Sequence, residues 1–132
     1  MTDALRKSLR KKGHYVKRRN EIIGCDDLPK LLRGADLRKF GGLYRQSLTR
    51  CNFSNLDLRG ANLSGCILFG VTFYYADLRG ADLSGTLLDH VNFHHARIDR
   101  VNFGNAMGTP INLGLAEMDD AMRAYLRLIG LL

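Results

Sequence analysis

The chain is 132 residues long, 45% of them apolar, with a formal net charge of +7. That length suits one domain, and no apolar run approaches the ~20 residues of a membrane span, so a soluble protein with no membrane partner is expected. No charged-then-apolar leader opens the sequence, and the three cysteines (Cys25, Cys51, Cys66) are odd in number without C-x-x-C spacing. A secretory signal, a disulfide framework and a zinc site are therefore not expected, and the expected location is the cytoplasm.

In chain order, residues 1–31 read as a basic N-terminal arm or cap. Residues 1–34 hold ten Lys/Arg against four Asp/Glu, a net +6. Residues 35–110 hold eight against six (+2), and residues 111–132 hold two against three (−1). The charge is thus concentrated in the arm, where Arg6, Lys7, Arg10, Lys11, Lys12, Lys17, Arg18 and Arg19 are candidates for meeting an anionic partner. Three readings stay open: phosphates of a nucleic acid, an acidic protein surface, or the solvated face of a capping helix. Interleaved aromatics are nearly absent, which disfavours stacking on single-stranded nucleic acid.

Residues 32–108 repeat every five positions. From Leu43 the centres are Leu48, Phe53, Leu58, Leu63, Leu68, Phe73, Leu78, Leu83, Leu88, Phe93, Ile98 and Phe103, thirteen large apolar residues without exception. Two places before them stand mostly small residues such as Ala61, Cys66, Ala76, Ala81 and Ala96, and between the two stand Asp57, Asn62, Asp77, Asp82 and Asn92. Leu32 and Leu37 keep the spacing, and an insertion at 40–42 precedes Leu43. A period of five fits neither helix nor simple strand; it fits a square coil, each unit making one side, so that residue n lies under n+20. Phe53, Phe73 and Phe93 then form one internal ladder.

AlaAspLeuArgGly at 76–80, AlaAspLeuSerGly at 81–85 and AlaAsnLeuSerGly at 61–65 resemble the pentapeptide-repeat family pattern A-(D/N)-L-x-x over roughly residues 35–107. The resemblance implies an all-β repeat fold, a right-handed quadrilateral β-helix, here of about three to four coils. It also implies a role shared by some relatives, which resemble DNA and bind type II topoisomerases such as gyrase. The slightly positive repeat body argues against that role here.

Chemistry is not evident in the sequence. His90, His94 and His95 are not expected to converge and no Cys or carboxylate completes a ligand set, Cys51 and Cys66 fall at inward small positions, and no phosphate loop or serine elbow stands out. No enzyme activity, metal or cofactor is expected. The outward positions point instead to a protein partner: Ile67 and Leu87 replace the usual Asn/Asp, Phe69 sits beside them, and Tyr74, Tyr75, His94 and His95 follow. These seven are candidate partner-binding residues, read as one apolar and aromatic surface unless a terminal segment covers it.

Residues 109–132 place Leu115, Met118, Met122, Tyr125, Leu126 and Ile129 at helical spacing, predicting an amphipathic helix that either caps the coil or joins two copies in a homodimer. The functional expectation is a non-catalytic binding protein. Its rigid scaffold inhibits or modulates a protein or nucleic-acid-processing complex. Self-association as a purely structural module is the alternative from another class.

Overall fold

In the computed structural model the described residues are 21–23, as backbone only, and 47–132. The arm candidates Arg6, Lys7, Arg10, Lys11, Lys12, Lys17, Arg18 and Arg19 lie outside the described residues, as do Cys25, Leu32, Leu37 and Leu43. Five short strands form one parallel sheet in chain order: β1 Glu21–Ile23, β2 Ser47–Thr49, β3 Ile67–Phe69, β4 Leu87–Asn92 and β5 Met107–Ile111. Ser47, Ile67, Leu87 and Met107 stand in register at intervals of twenty. On the other sides the ladder shrinks to single bridges: Asn52 to Thr72 to Asn92, Asp57 to Asp77 to Arg97 to Glu117, and Asn62 to Asp82 to Asn102. Four five-residue sides therefore make each coil.

Backbone hydrogen bonds alternate in the parallel pattern. The Phe53 N–H donates to Thr72 O at 2.8 Å, and the Thr72 N–H donates back to Cys51 O at 3.1 Å. The register of β1 on β2 differs: Ile22 pairs with Leu48, twenty-six residues on rather than twenty, so the sheet begins inside the stretch read from sequence as an arm.

The Asn/Asp preference has a local cause. Each such side chain accepts the N–H two residues on: Ser54 to Asn52 at 2.9 Å, Arg59 to Asp57 at 3.2 Å, Ser64 to Asn62 at 3.1 Å, Ser84 to Asp82 at 2.9 Å. This Asx turn satisfies a donor that the corner would otherwise leave unpaired. The side carrying Ser47, Ile67, Leu87 and Met107 has no such acceptor, and it is the side that forms strands of three or more residues. Every fifth residue from Arg50 to Asn105 has a positive φ, between 52° and 69°. Glycine suits that corner, as at Gly80, yet Tyr75, His90, His95 and Arg100 also stand there.

Inside the coil the centres and their small partners are almost wholly buried. Phe53 and Phe73 stack at 5.2 Å and 24°, Phe73 and Phe93 at 5.4 Å and 23°, a spacing close to the rung repeat of a parallel sheet. The top of that ladder is Leu113, and Phe103, two sides on and so across the coil, meets Phe93 at 73°. Thr86 is the buried polar residue among the inward positions, and its hydroxyl donates to Leu83 O at 2.7 Å.

The C-terminal end differs from the spacing-based expectation. The coil runs past Phe103 through Ala106, Gly108, Leu113 and Ala116, and helix α1 spans only Asp120–Leu128. Leu115, expected in the helix, lies in a 3-10 turn, Leu113–Leu115, and is 56% exposed; Met118 also precedes the helix. The reason is hydrogen bonding by the coil beneath: His95 N–H donates to Leu115 O, Ile98 N–H to Glu117 O, and Glu117 N–H to Ala96 O. Those bonds hold 115–117 in the sheet. Asp119 then caps α1, accepting the Met122 N–H at 2.7 Å, and Met122 and Leu126 are buried in the core cluster, with Met118, Tyr125 and Ile129 packed against it.

Candidate interaction surface

The strand side carries an outward apolar column. Ile67, Leu87 and Met107 stack in register and are 51%, 42% and 67% exposed. Phe69, on the corner, is also exposed, and its ring lies 6.2 Å from His90, which in turn pairs with Asp89. Met107 escaped the sequence reading because its centre, Gly108, breaks the apolar register. Carrying the count one unit further, with Ala106 at the inward small position, finds it. Gly108 is required there: with φ 120°, a Cβ would lie 2.1 Å from Leu88 O.

Tyr74, Tyr75, His94 and His95 come together as a second cluster. Tyr75 stacks on His95 at 4.7 Å, His95 on His94 at 4.3 Å, and Tyr74 meets Tyr75 edge-on at 4.6 Å. The seven candidates were expected to form one surface; the coil divides them. The polar column of Asn52, Thr72, Asn92 and Asn112 runs between the two groups, tied by Asn112 Nδ2 donating to Asn92 Oδ1 at 3.2 Å. This follows from the register, since positions 72 and 92 occupy the middle of the intervening side. Tyr74, then desolvation, push the Tyr75 hydroxyl above its ordinary range.

The next side is charged. Arg59 holds Asp57, and Arg79 holds Asp77, each through two hydrogen bonds at 2.7–2.8 Å. Arg97 lies 3.7 Å from Asp77 and 3.8 Å from Glu117. The Arg79 hydrogen bond, assisted by Arg97, holds the Asp77 carboxyl below the usual carboxylate value, and the same pairing raises Arg79. These are exposed or half-exposed pairs, each worth little. Among the described residues no helix is long and apolar enough to cross a membrane, and no group of three or more His, Cys, Asp or Glu is placed to hold a metal ion.

A four-sided parallel coil with a packed interior and its variation confined to outward positions is a β-helical repeat scaffold. The pentapeptide-repeat family model matches residues 43–65 and 66–105 with eight copies, and the chain belongs to that family. Proteins of this family form right-handed β-helices, with which the parallel sheet agrees, and are generally non-catalytic scaffolds. Among solved structures, a pentapeptide repeat protein of the Arabidopsis thaliana thylakoid lumen is 34% identical over 61% of this chain and 67% of that one, at a TM-score of 0.48. Another, from the cyanobacterium Cyanothece 51142, is 26% identical over 56% of this chain, at a TM-score of 0.34; the match spans 60% of the cyanobacterial chain. No curated protein sequence matches.

Proposed function

We propose that this chain is a cytoplasmic binding scaffold that grips a macromolecular partner through the strand side and thereby inhibits or modulates a protein or nucleic-acid-processing complex. The observation that carries this reading is the exposed column of Ile67, Leu87 and Met107. Asx acceptors would stabilise those corners, and instead apolar side chains face water. Large apolar groups held in a row on a rigid sheet favour a partner that covers them. A DNA-mimicking role at a topoisomerase is not favoured, because residues 47–132 hold seven Arg against eight Asp/Glu, a net −1 rather than a densely acidic surface.

The test is capture of partners from the native host by the full chain and by Leu87→Asp and Phe69→Asp variants. Both substitutions are on exposed positions, so the β-sheet circular dichroism should be retained while capture is lost. Capture that survives both changes means the binding face lies elsewhere. Self-association has its own supporting observation, the 85% exposed Leu128 on α1. Light scattering of the chain and of Leu128→Asp reads it directly: an unchanged mass removes that reading.

A further inference from the structure

The sheet ends at β5, and the outer edge of that strand is open. Met107, Gly108, Thr109 and Ile111 are exposed and Pro110 is half-buried, whereas Leu48, Leu68 and Leu88, the residues in register with Gly108, are wholly buried. Among the described residues no strand lies beyond β5. Helix α1 roofs the core and takes the place of a further coil, with Met122 and Leu126 buried, yet it leaves Gly108 uncovered.

The backbone groups on this edge follow from the ladder beneath. Met107 N–H donates to Thr86 O at 2.9 Å and Gly108 is the partner of Leu88, so residues 107 and 109 make the bonds to β4. All peptides here are trans, and Gly108 therefore turns both its N–H and its C=O to the far side. Ala106 O joins them. Its equivalents, Cys66 O and Thr86 O, accept the Leu87 and Met107 N–H groups of the coil above, and among the described residues no coil follows Ala106 on this side. The row then stops. At the next corner Arg50 N–H donates to Phe69 O and Gly70 N–H to Asp89 O, but Pro110 has no N–H to give. The edge thus offers one donor between two acceptors, and the proline keeps it from templating a longer sheet.

We propose that β5 binds an extended segment of a protein partner as a sixth parallel strand, held by Ala106 O, Gly108 N–H and Gly108 O. The first and third residues of that segment donate to the two carbonyls, and the first accepts from Gly108 N–H. That first residue stands over Met107 and continues the column of Ile67, Leu87 and Met107, so an apolar side chain is favoured there. A whole coil of a second copy is disfavoured, because α1 occupies the space it would need. This deepens the binding-scaffold reading and rests on it for the existence of a partner.

The experiment titrates the full chain with acetyl-Thr-Leu-Leu-Asp-His amide, the sequence of residues 86–90, which lies on the equivalent edge of β3. The amide NMR signals of Gly108 and Thr109 report binding. The expected result is saturable movement of the Gly108 signal. N-methylation of the first leucine removes the donor to Ala106 O and should weaken binding about tenfold; N-methylation of the second, whose N–H points away from β5, should change it less than about twofold. Met107→Ser, at an exposed position, should weaken binding about threefold. An unmoved Gly108 signal, equal effects of the two N-methyl groups, or the reverse order, which marks an antiparallel strand, overturns the proposal. A doubled mass in light scattering that the peptide reduces assigns the edge to a second copy and overturns it as well. The titration reads this edge alone: if it fails while partner capture stays sensitive to Leu87→Asp, the strand site is wrong and the scaffold reading stands.

Discussion

Phe73 sits between two rings, and replacing it with leucine isolates what the ladder contributes. Leucine is the centre residue of the other columns, so Phe73→Leu preserves an apolar occupant and removes the stacking with Phe53 at 5.2 Å and Phe93 at 5.4 Å. An offset-stacked pair is worth about 0.5–1.5 kcal/mol beyond area burial, so two pairs amount to about 1–3 kcal/mol. Residual volume loss adds roughly 1 kcal/mol, because a rigid sheet cannot fully collapse around a smaller side chain. The expected cost is therefore about 2–4 kcal/mol, against about 3–5 kcal/mol for Phe73→Ala. Urea unfolding followed by far-ultraviolet circular dichroism measures it, provided the m-value is unchanged. A cycle with Phe53→Leu then separates stacking from volume, with an expected coupling of about 0.5–1.5 kcal/mol. A Phe73→Leu cost below about 0.5 kcal/mol, or zero coupling in the cycle, would refute the argument that the rings act on one another.

Gly108→Ala should be among the costliest single-methyl changes, about 3 kcal/mol or more, since the added carbon collides with the Leu88 carbonyl. Hydrogen exchange should localise the damage to 107–111, and protection equal to wild type there contradicts the close approach. Arg100→Gly should gain stability, about 0.5–1 kcal/mol in urea, by relieving a left-handed arginine in the column that holds Gly60 and Gly80; a loss shows that the arginine makes up for its backbone. Asp77 titrates below its ordinary value of 3.8 in the fold, so its contribution is present above that value and is lost as pH falls through the folded one. Asp77→Asn keeps an acceptor for the Arg79 N–H and removes the charge. Its stability should fall less than wild type's between about pH 5 and pH 3, and parallel acid curves count against the pairing.

Most of the coil was legible in the residues because its period is short and strict. Thirteen centres at a spacing of five leave one register, and the phenylalanines at 53, 73 and 93 identify how many sides close a turn. Legibility failed where two periods coincide. Leu115, Met118 and Met122 satisfy helical spacing, yet Leu113 and Met118 also continue the fives, and the hydrogen bonds of His95 and Ile98 decide for the sheet. It failed again at Gly108, where a steric requirement replaced the apolar centre, hiding Met107. The offset of twenty-six between Ile22 and Leu48 is one that the twenty-residue register does not encode. For the surface, the residue types were visible, whereas its division into an apolar column and a ring cluster came from placing Thr72 and Asn92 on the side between.

The twenty-residue register also makes the length of this molecule a counted quantity. Removing residues 66–85 would lower Thr86 through Asn105 onto the places of Cys66 through Gly85, keeping Phe93 over Phe53 and every Asx turn in its column. Removing five or ten would turn the remainder by a quarter or half revolution and set phenylalanines over leucines throughout. Growth and shrinkage of such a chain are therefore tolerated in whole storeys, and a binding column gains or loses one rung at a time while its chemistry stays aligned.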